Sequence, residues 1–262
     1  MAKRPLALVT GASGGIGADL AREFARDGYD LVLVARSGAA LEKLAGELTG
    51  LGATASVEAI DLLAPDAVGS LMGRLAARGL AIDVLVNNAG FGDAVPFVKA
   101  DAGKLTDIAT LNMTVLTQLM HAVLPAMKAR GSGSVLNVAS TAAFQPGPGM
   151  AVYCATKAYV LSLSEAVDFE LQGSGVRVMA ICPGPTLTGF AKAASAENNA
   201  LFKSRLMPPM SAAQVAQSGY QAFKRGKRVA IIGLINMVLA RSAAFTPRFI
   251  SLPIAKALLA GH

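Results

Sequence analysis

Apolar positions fall into short continuous runs separated by segments with helical spacing. The runs cover residues 6–10, 31–35, 53–59, 82–87, 134–139 and 176–182, with a seventh at 228–232. A strand with one wet face alternates apolar and polar residues, whereas a continuous run fits a parallel strand buried on both faces. Helical spacing covers about 15–26, part of a helix at 41–48, a segment opened by Pro65 near its first helical position, 105 to about 128, and 150–171. Strand–helix alternation with right-handed crossovers predicts an α/β fold with a doubly wound parallel sheet. No Pro/Gly/Ser linker interrupts the pattern, so residues 1–262 read as one domain. The rhythm breaks at 188–209. Ligands bind beyond the strand ends of such sheets, so this insertion is a candidate substrate lid.

Composition narrows the picture. Apolar residues make up 53% of the chain, enough for a sizeable core, and there is no repeat to suggest a solenoid. Two cysteines, Cys154 and Cys182, are too few for a disulfide framework. Lys3-Arg4-Pro5 is followed by only a five-residue apolar run rather than a leader, so a cytoplasmic setting is expected. The apolar stretch 229–240 is short of the roughly twenty residues a membrane-spanning helix needs and contains Gly233 and Asn236. No metal site and no nucleic-acid partner is assigned.

Charge is unevenly distributed. The net charge is +7, yet residues 1–197 hold 15 basic and 17 acidic side chains, a net of −2. After Glu197 come nine Lys or Arg and no Asp or Glu. That quarter suits an acidic partner, whether a phosphorylated cofactor, an anionic lipid surface or an acidic protein, or it is a solvated basic face with no partner.

Thr10-Gly11-Ala12-Ser13-Gly14-Gly15-Ile16-Gly17 lies between the first strand and the first helix. Glycines there permit a tight turn and close backbone approach to a pyrophosphate, toward which the helix N-terminus points free N–H groups. The second strand ends Val34-Ala35-Arg36-Ser37. A carboxylate near this point would accept from a ribose 2′-hydroxyl; a guanidinium instead suits a 2′-phosphate. Tyr153 and Lys157, four residues apart in a helical segment, share a face, and a nearby ammonium is expected to lower the phenol pKa. Ser140, just past the fifth strand, can reach the same cleft end and hold a substrate oxygen while Tyr153 transfers a proton.

Together these segments resemble the short-chain dehydrogenase/reductase family. Thr10-Gly11-x3-Gly15-x-Gly17 looks like its cofactor loop, and Asn87-Asn88-Ala89-Gly90 like its fourth-strand motif. Asn112 falls on its helix asparagine. Ser140, Tyr153 and Lys157 match its catalytic set, and Pro183-Gly184-Pro185-Thr186-Leu187-Thr188 its Pro-Gly-x3-Thr segment. The motifs run in order across 6–188. The resemblance, which extends to ketoacyl- and hydroxysteroid-type reductases, implies a Rossmann fold with strand order 3-2-1-4-5-6-7, an NADP(H) cofactor, and assembly as a homodimer or homotetramer. It implies that Tyr153 is the acid/base, Ser140 the oxygen clamp, Lys157 a pKa modulator and ribose ligand, and Asn112 the holder of a water in a proton relay. Gly11, Ser13, Gly15, Ile16, Gly17, Arg36, Asp61, Leu62, Asn88, Ala89, Gly90, Pro183, Gly184, Thr186 and Thr188 are the cofactor contacts it implies, with Asp61 and Leu62 flanking the adenine.

The substrate pocket reads as apolar, for a ketoacyl, steroid-like or other carbonyl or alcohol. Phe91, Ala142, Ala143, Phe144, Gln145 and Pro146 are candidates, and the insertion adds Phe190, Leu201, Phe202, Leu206 and Met207. His121 and Cys154 are given no catalytic role. The tail 233–262 reads as a basic, apolar helical extension that closes the pocket, packs on a sister subunit or lies on an anionic membrane. Two other readings keep the fold: a non-catalytic NADP(H)-binding sensor or scaffold, and an enzyme that uses the cofactor for isomerisation or dehydration.

Overall fold

A computed structural model describes residues 4–190, 194 and 208–259. In chain order the elements are β1 (Leu6–Thr10), α1 (Gly15–Arg26), β2 (Asp30–Ala35), α2 (Gly38–Thr49), β3 (Ala55–Ala59), α3 (Ala67–Ala77), β4 (Val84–Asn87), α4 (Ala102–Ala109), α5 (Leu116–Arg130), β5 (Gly133–Val138), α6 (Ala151–Glu170) and β6 (Val176–Cys182). Then follow β7 (Thr186–Leu187), β8 (Met210–Ser211), α7 (Ala212–Lys224), β9 (Val229–Ile231), α8 (Leu234–Phe245) and α9 (Arg248–Leu259).

Seven strands form one parallel sheet in the order β3-β2-β1-β4-β5-β6-β9. This is the expected 3-2-1-4-5-6-7, with β9 as the seventh strand. Its inner strands are buried on both faces, with alternate residues serving different cores, while the edge strands β3 and β9 are half-buried. Ala7, Val9, Leu31 and Leu33 meet α1, α2 and α7 on one side. Leu6, Leu8, Val32 and Val34 meet α3, α5 and α6 on the other. A continuous apolar run is what a strand between two cores needs. The order reverses at β1, where β2 and β4 lie on opposite sides, so the ends of β1 and β4 open the crevice in which ligands bind in this topology.

Buried polar groups tie the site-bearing helix α6 to the sheet. Asn87 Nδ2 donates to Asn137 Oδ1 at 2.9 Å, and Asn137 Nδ2 donates to Ser164 Oγ at 2.8 Å. With both asparagines shielded from water, losing one partner would strand the others.

Two local expectations are corrected, and one small element is added. Pro65 lies before the first turn of α3 rather than in it; the helix begins at Ala67, after Asp66 in a left-handed conformation (φ 51°). The long helix expected at 105–128 is α4 and α5 joined by a wide π-type stretch at Thr110–Val115. The strands β7 and β8 pair as a small separate sheet that two-residue runs could not announce. By length and composition alone, Ala102–Arg130 could cross a membrane. Leu116, Leu119, Met120, Val123 and Met127 are buried in the protein core, as in an internal helix.

Candidate active site

One cavity of about 1200 Å³ runs from the glycine loop, past the end of β2, to the mouth of α6. At its first end the loop is fixed from behind. Thr10 Oγ1 accepts from the backbone N–H of Asn88 and of Ala89, each at 3.0 Å, and donates to Val86 O at 3.2 Å. The Asn88 side chain donates to Thr10 O at 3.0 Å and Gly11 O at 3.2 Å. Asn88 thus braces the loop through its amide while also lining the cavity. Gly11 and Gly15 have φ of +65° and +56°, conformations that glycine adopts without penalty. Gly11, Ser13, Gly15 and Ile16 line the cavity at the N-terminus of α1, where free N–H groups and the helix dipole favour an anion.

Gly17 has a different task. It is buried and absent from the cavity lining, and a Cβ there would overlap the Asn88 amide and the Gly11 carbonyl. Its lack of a side chain is a packing requirement between α1 and the β4 motif. Gly17→Ala should therefore cost about 1–3 kcal/mol, the usual range for overpacking. The denaturant midpoint reads this, and an unmoved midpoint would mean that the loop yields freely.

Along the cavity floor, Ala35 is buried at the end of β2 and Arg36 is exposed beside it, making no ion pair among the described residues. Asp61 and Leu62 line the same stretch; Asp61 Oδ1 accepts from Leu63 N at 3.0 Å. Ala89 and Gly90 continue the wall. Pro183, Gly184, Thr186 and Thr188 form the opposite side. Thr188 stands across the glycine loop, since a Cβ on Gly15 would come within 3.2 Å of its methyl group.

The far end gathers Ser140, Tyr153 and Lys157. Ser140 has extended backbone and opens a 3₁₀ turn; its Oγ accepts from Ala142 N at 3.1 Å and donates to Pro183 O at 3.4 Å. The Tyr153 ring packs on Phe190 with centroids 5.2 Å apart, and Lys157 Nζ lies 5.8 Å from the Tyr153 ring centre. The ammonium donates to Val138 O at 2.8 Å. Burial pushes the Tyr153 phenol well above its ordinary value, with the Ser140 hydroxyl acting in the opposite direction. Burial also lowers Lys157 from 10.5 to about 8. The lowering of Tyr153 expected from its neighbouring ammonium is not found: desolvation sets the direction, and the opposing influence is the Ser140 hydroxyl.

The Lys157 shift has a measurable sign. A lysine with a depressed folded pKa binds fewer protons folded than unfolded between pH 8 and 10.5, so its charge burial costs stability below pH 8 and that cost fades as pH rises. Cys154 and Cys182, pushed by burial from 9 to about 12, slope the other way above pH 9. The Lys157 contribution is therefore read as a difference. The unfolding free energy of the parent minus that of Lys157→Met should rise by about 3 kcal/mol across that window. A flat difference would show that the ammonium is not desolvated.

Asn112 sits behind this wall, not in it. Its amide donates to Phe91 O and to Thr156 Oγ1, both at 3.0 Å, and its Oδ1 accepts from Phe91 N at 3.2 Å. Thr156 Oγ1 donates in turn to Tyr153 O at 2.8 Å. These bonds join the π-type stretch to α6, hold Phe91 at the cavity edge and fix the Asn112 side chain behind the wall.

Of the expected substrate contacts, Phe91, Ala142, Gln145 and Phe190 line the cavity, whereas Ala143 and Phe144 pack on the core. Leu201, Phe202, Leu206 and Met207, and with them most of the candidate lid, lie outside the described residues. The remaining wall comes from α8 and α9, through Asn236, Leu239, Ala240, Ala243, Ile254 and Leu258. Sequence reading gave the tail no contact residues. The Ser251 hydroxyl in α9 is buried, lines the cavity and has no hydrogen-bond partner among the described residues.

Comparison with known proteins is consistent with this geometry. The family model for short chain dehydrogenase matches residues 5–199. Oxidoreductase UcpA of Escherichia coli K12 is 36% identical over 194 residues, 74% of this chain and 73% of that one. The solved short-chain dehydrogenase from Sphingobium yanoikuyae in complex with NADPH is 37% identical with a TM-score of 0.82, covering 92% and 91% of the two chains. The bulky-bulky ketone specific alcohol dehydrogenase from Comamonas testosteroni is 32% identical with a TM-score of 0.76, covering 94% and 98%.

Proposed function

The chain belongs to the short-chain dehydrogenase family, and from that premise we propose that it is an NADP(H)-dependent oxidoreductase acting on the carbonyl or alcohol carbon of an apolar substrate, with Tyr153 as the proton-transfer residue. The observation that carries the reading is one continuous cavity joining an anion-suited glycine loop, an exposed arginine and the Ser140–Tyr153–Lys157 group to an apolar wall. When bound, the nicotinamide supplies or accepts the hydride.

The residues present fit that group. Gly11, Ser13, Gly15 and Ile16 offer backbone and hydroxyl contacts to a pyrophosphate at the start of α1. Arg36 offers a guanidinium to a 2′-phosphate. Asp61 and Leu62 flank the adenine region, Asn88, Ala89 and Gly90 the adjoining ribose region, and Pro183, Gly184, Thr186 and Thr188 the nicotinamide side. Lys157 serves the nicotinamide ribose. NADP-binding relatives such as the Sphingobium yanoikuyae enzyme support this assignment.

The chain's own groups handle the proton. A phenol held above its usual pKa is protonated at neutral pH and suited to donate to the oxygen of a carbonyl being reduced. Ser140 orients that oxygen by its hydroxyl, and Lys157 carries charge to the same end of the cleft. Apolar walls from Phe91, Phe190, Leu239 and Ile254 exclude water and favour a bulky carbonyl compound, and Ser251 offers such a substrate one further polar contact. The Comamonas testosteroni relative, named for bulky ketones, agrees with that preference.

The test is a panel of apolar ketones and acyl thioesters with NADPH, following loss of the reduced-nicotinamide absorbance. Substrate-dependent oxidation is the expected result. Binding of NADPH without turnover of any member would favour the sensor reading.

A further inference from the structure

The outer side of the cavity wall carries a surface that hydride transfer leaves unexplained. On α8, Leu234, Val238 and Phe245 are 72%, 54% and 88% exposed, and their spacing puts them on one face. On α9, Phe249 is 78% exposed. Large apolar side chains grouped on two successive helices in water mark an interaction surface. The charges these two helices carry have one sign. Arg241, Arg248 and Lys256 are exposed, and after Glu197 the sequence has no acidic residue. Leu239 and Ile254 line the cavity on these same two helices and are 39% and 54% exposed. The cavity wall and the apolar face are thus carried by the same pair of helices.

We propose that α8 and α9 dock on an anionic lipid bilayer, their apolar side chains entering its interface while Arg241, Arg248 and Lys256 meet lipid phosphates, and that substrate passes from the lipid into the cavity at Leu239 and Ile254. The last clause rests on the apolar-substrate reading above; the docking does not. A second copy of the chain fits this face poorly. A two-fold interface sets the same patch against itself, and these helices hold only cations, with no carboxylate to offset them. A bilayer interface supplies both an apolar layer and fixed anions, the combination that helices with apolar and basic positions bind.

The experiment is cosedimentation of the full chain with vesicles of phosphatidylcholine alone and of phosphatidylcholine mixed with phosphatidylglycerol, at low and high salt. The parent should bind the mixed vesicles more tightly, and salt should weaken that binding. Arg241→Ser and Arg248→Ser should each weaken it by about fivefold. The double variant Phe245→Asp, Phe249→Asp should lose vesicle binding with an unchanged melting temperature, since both side chains are exposed. It should keep turnover of a small water-soluble ketone, because neither residue lines the cavity.

Failure of the parent to bind either vesicle overturns the proposal. So does binding that is indifferent to the phenylalanine or arginine substitutions. A dimer that the phenylalanine variant splits, without parent vesicle binding, would make the face a subunit contact. Capture by a soluble polyanion in place of vesicles would make it a protein-docking face. Vesicle binding requires no turnover, so a parent that binds lipid yet oxidises NADPH with no ketone leaves the docking standing and rejects the reductase reading alone.

Discussion

Tyr153→Phe is expected to lower kcat by roughly 10²–10⁴-fold, the range a positioned proton-transfer group supplies. The substitution keeps the ring that packs on Phe190 at 5.2 Å and removes only the hydroxyl. Structure and cofactor affinity should therefore stay close to those of the parent, and the loss should appear in turnover. The phenol is pushed upward by burial, so it holds its proton at neutral pH and the deletion takes away an acid in the direction of carbonyl reduction. Steady-state turnover of a ketone, with NADPH affinity measured separately by fluorescence, reads both quantities. Activity within tenfold of the parent would remove Tyr153 from the acid/base role. Cofactor binding that falls together with turnover would mean the hydroxyl serves chiefly to hold the ribose.

The second large effect is on cofactor choice. Arg36→Ala should reduce the ratio of kcat/KM for NADPH over NADH by about ten- to a hundredfold, the worth of a charge-assisted hydrogen bond of roughly 1.5–3 kcal/mol. Arg36 is exposed at the cavity edge and without an ion pair among the described residues, so its guanidinium has no competing carboxylate there. Adding Ala35→Asp supplies a ribose acceptor and should invert the preference. Since the site is open, raising the salt should shrink the parent's preference. A parent ratio near one, or a ratio that the double variant leaves alone, would make Arg36 an ordinary surface residue.

The basis for these predictions was unevenly legible. The main-sheet strands were readable, the inner ones because a strand between two cores is a continuous apolar run. The glycine loop, Arg36, Ser140, Tyr153 and Lys157 were legible because each lies at a fixed point of a strand–loop–helix unit, and the structure brings them to one cavity. Gly17 was read as a cofactor contact and Asn112 as the holder of a water; the structure adds that Gly17 clears space for Asn88 and that Asn112 ties Phe91 to Thr156. Motif spacing cannot distinguish a residue that lines a site from one that braces it.

Which segments become strands and helices, and which local turns suit an anion, could be read from the chain alone, since those follow from periodicity and glycine placement within a few residues. What closes the cavity depends on long-range packing. A Cβ on Gly184 would run into the Asn236 amide, and Ala255 and Leu259 pack with Met150 and Cys154, about a hundred residues away in sequence. The desolvation of Tyr153 and Lys157 was likewise invisible beforehand, because a pKa depends on which distant side chains exclude water from the group. The sequence left the tail open between closing the pocket, packing on a sister subunit and lying on a membrane; the packed fold shows that α8 and α9 both wall the cavity and leave large apolar side chains in water.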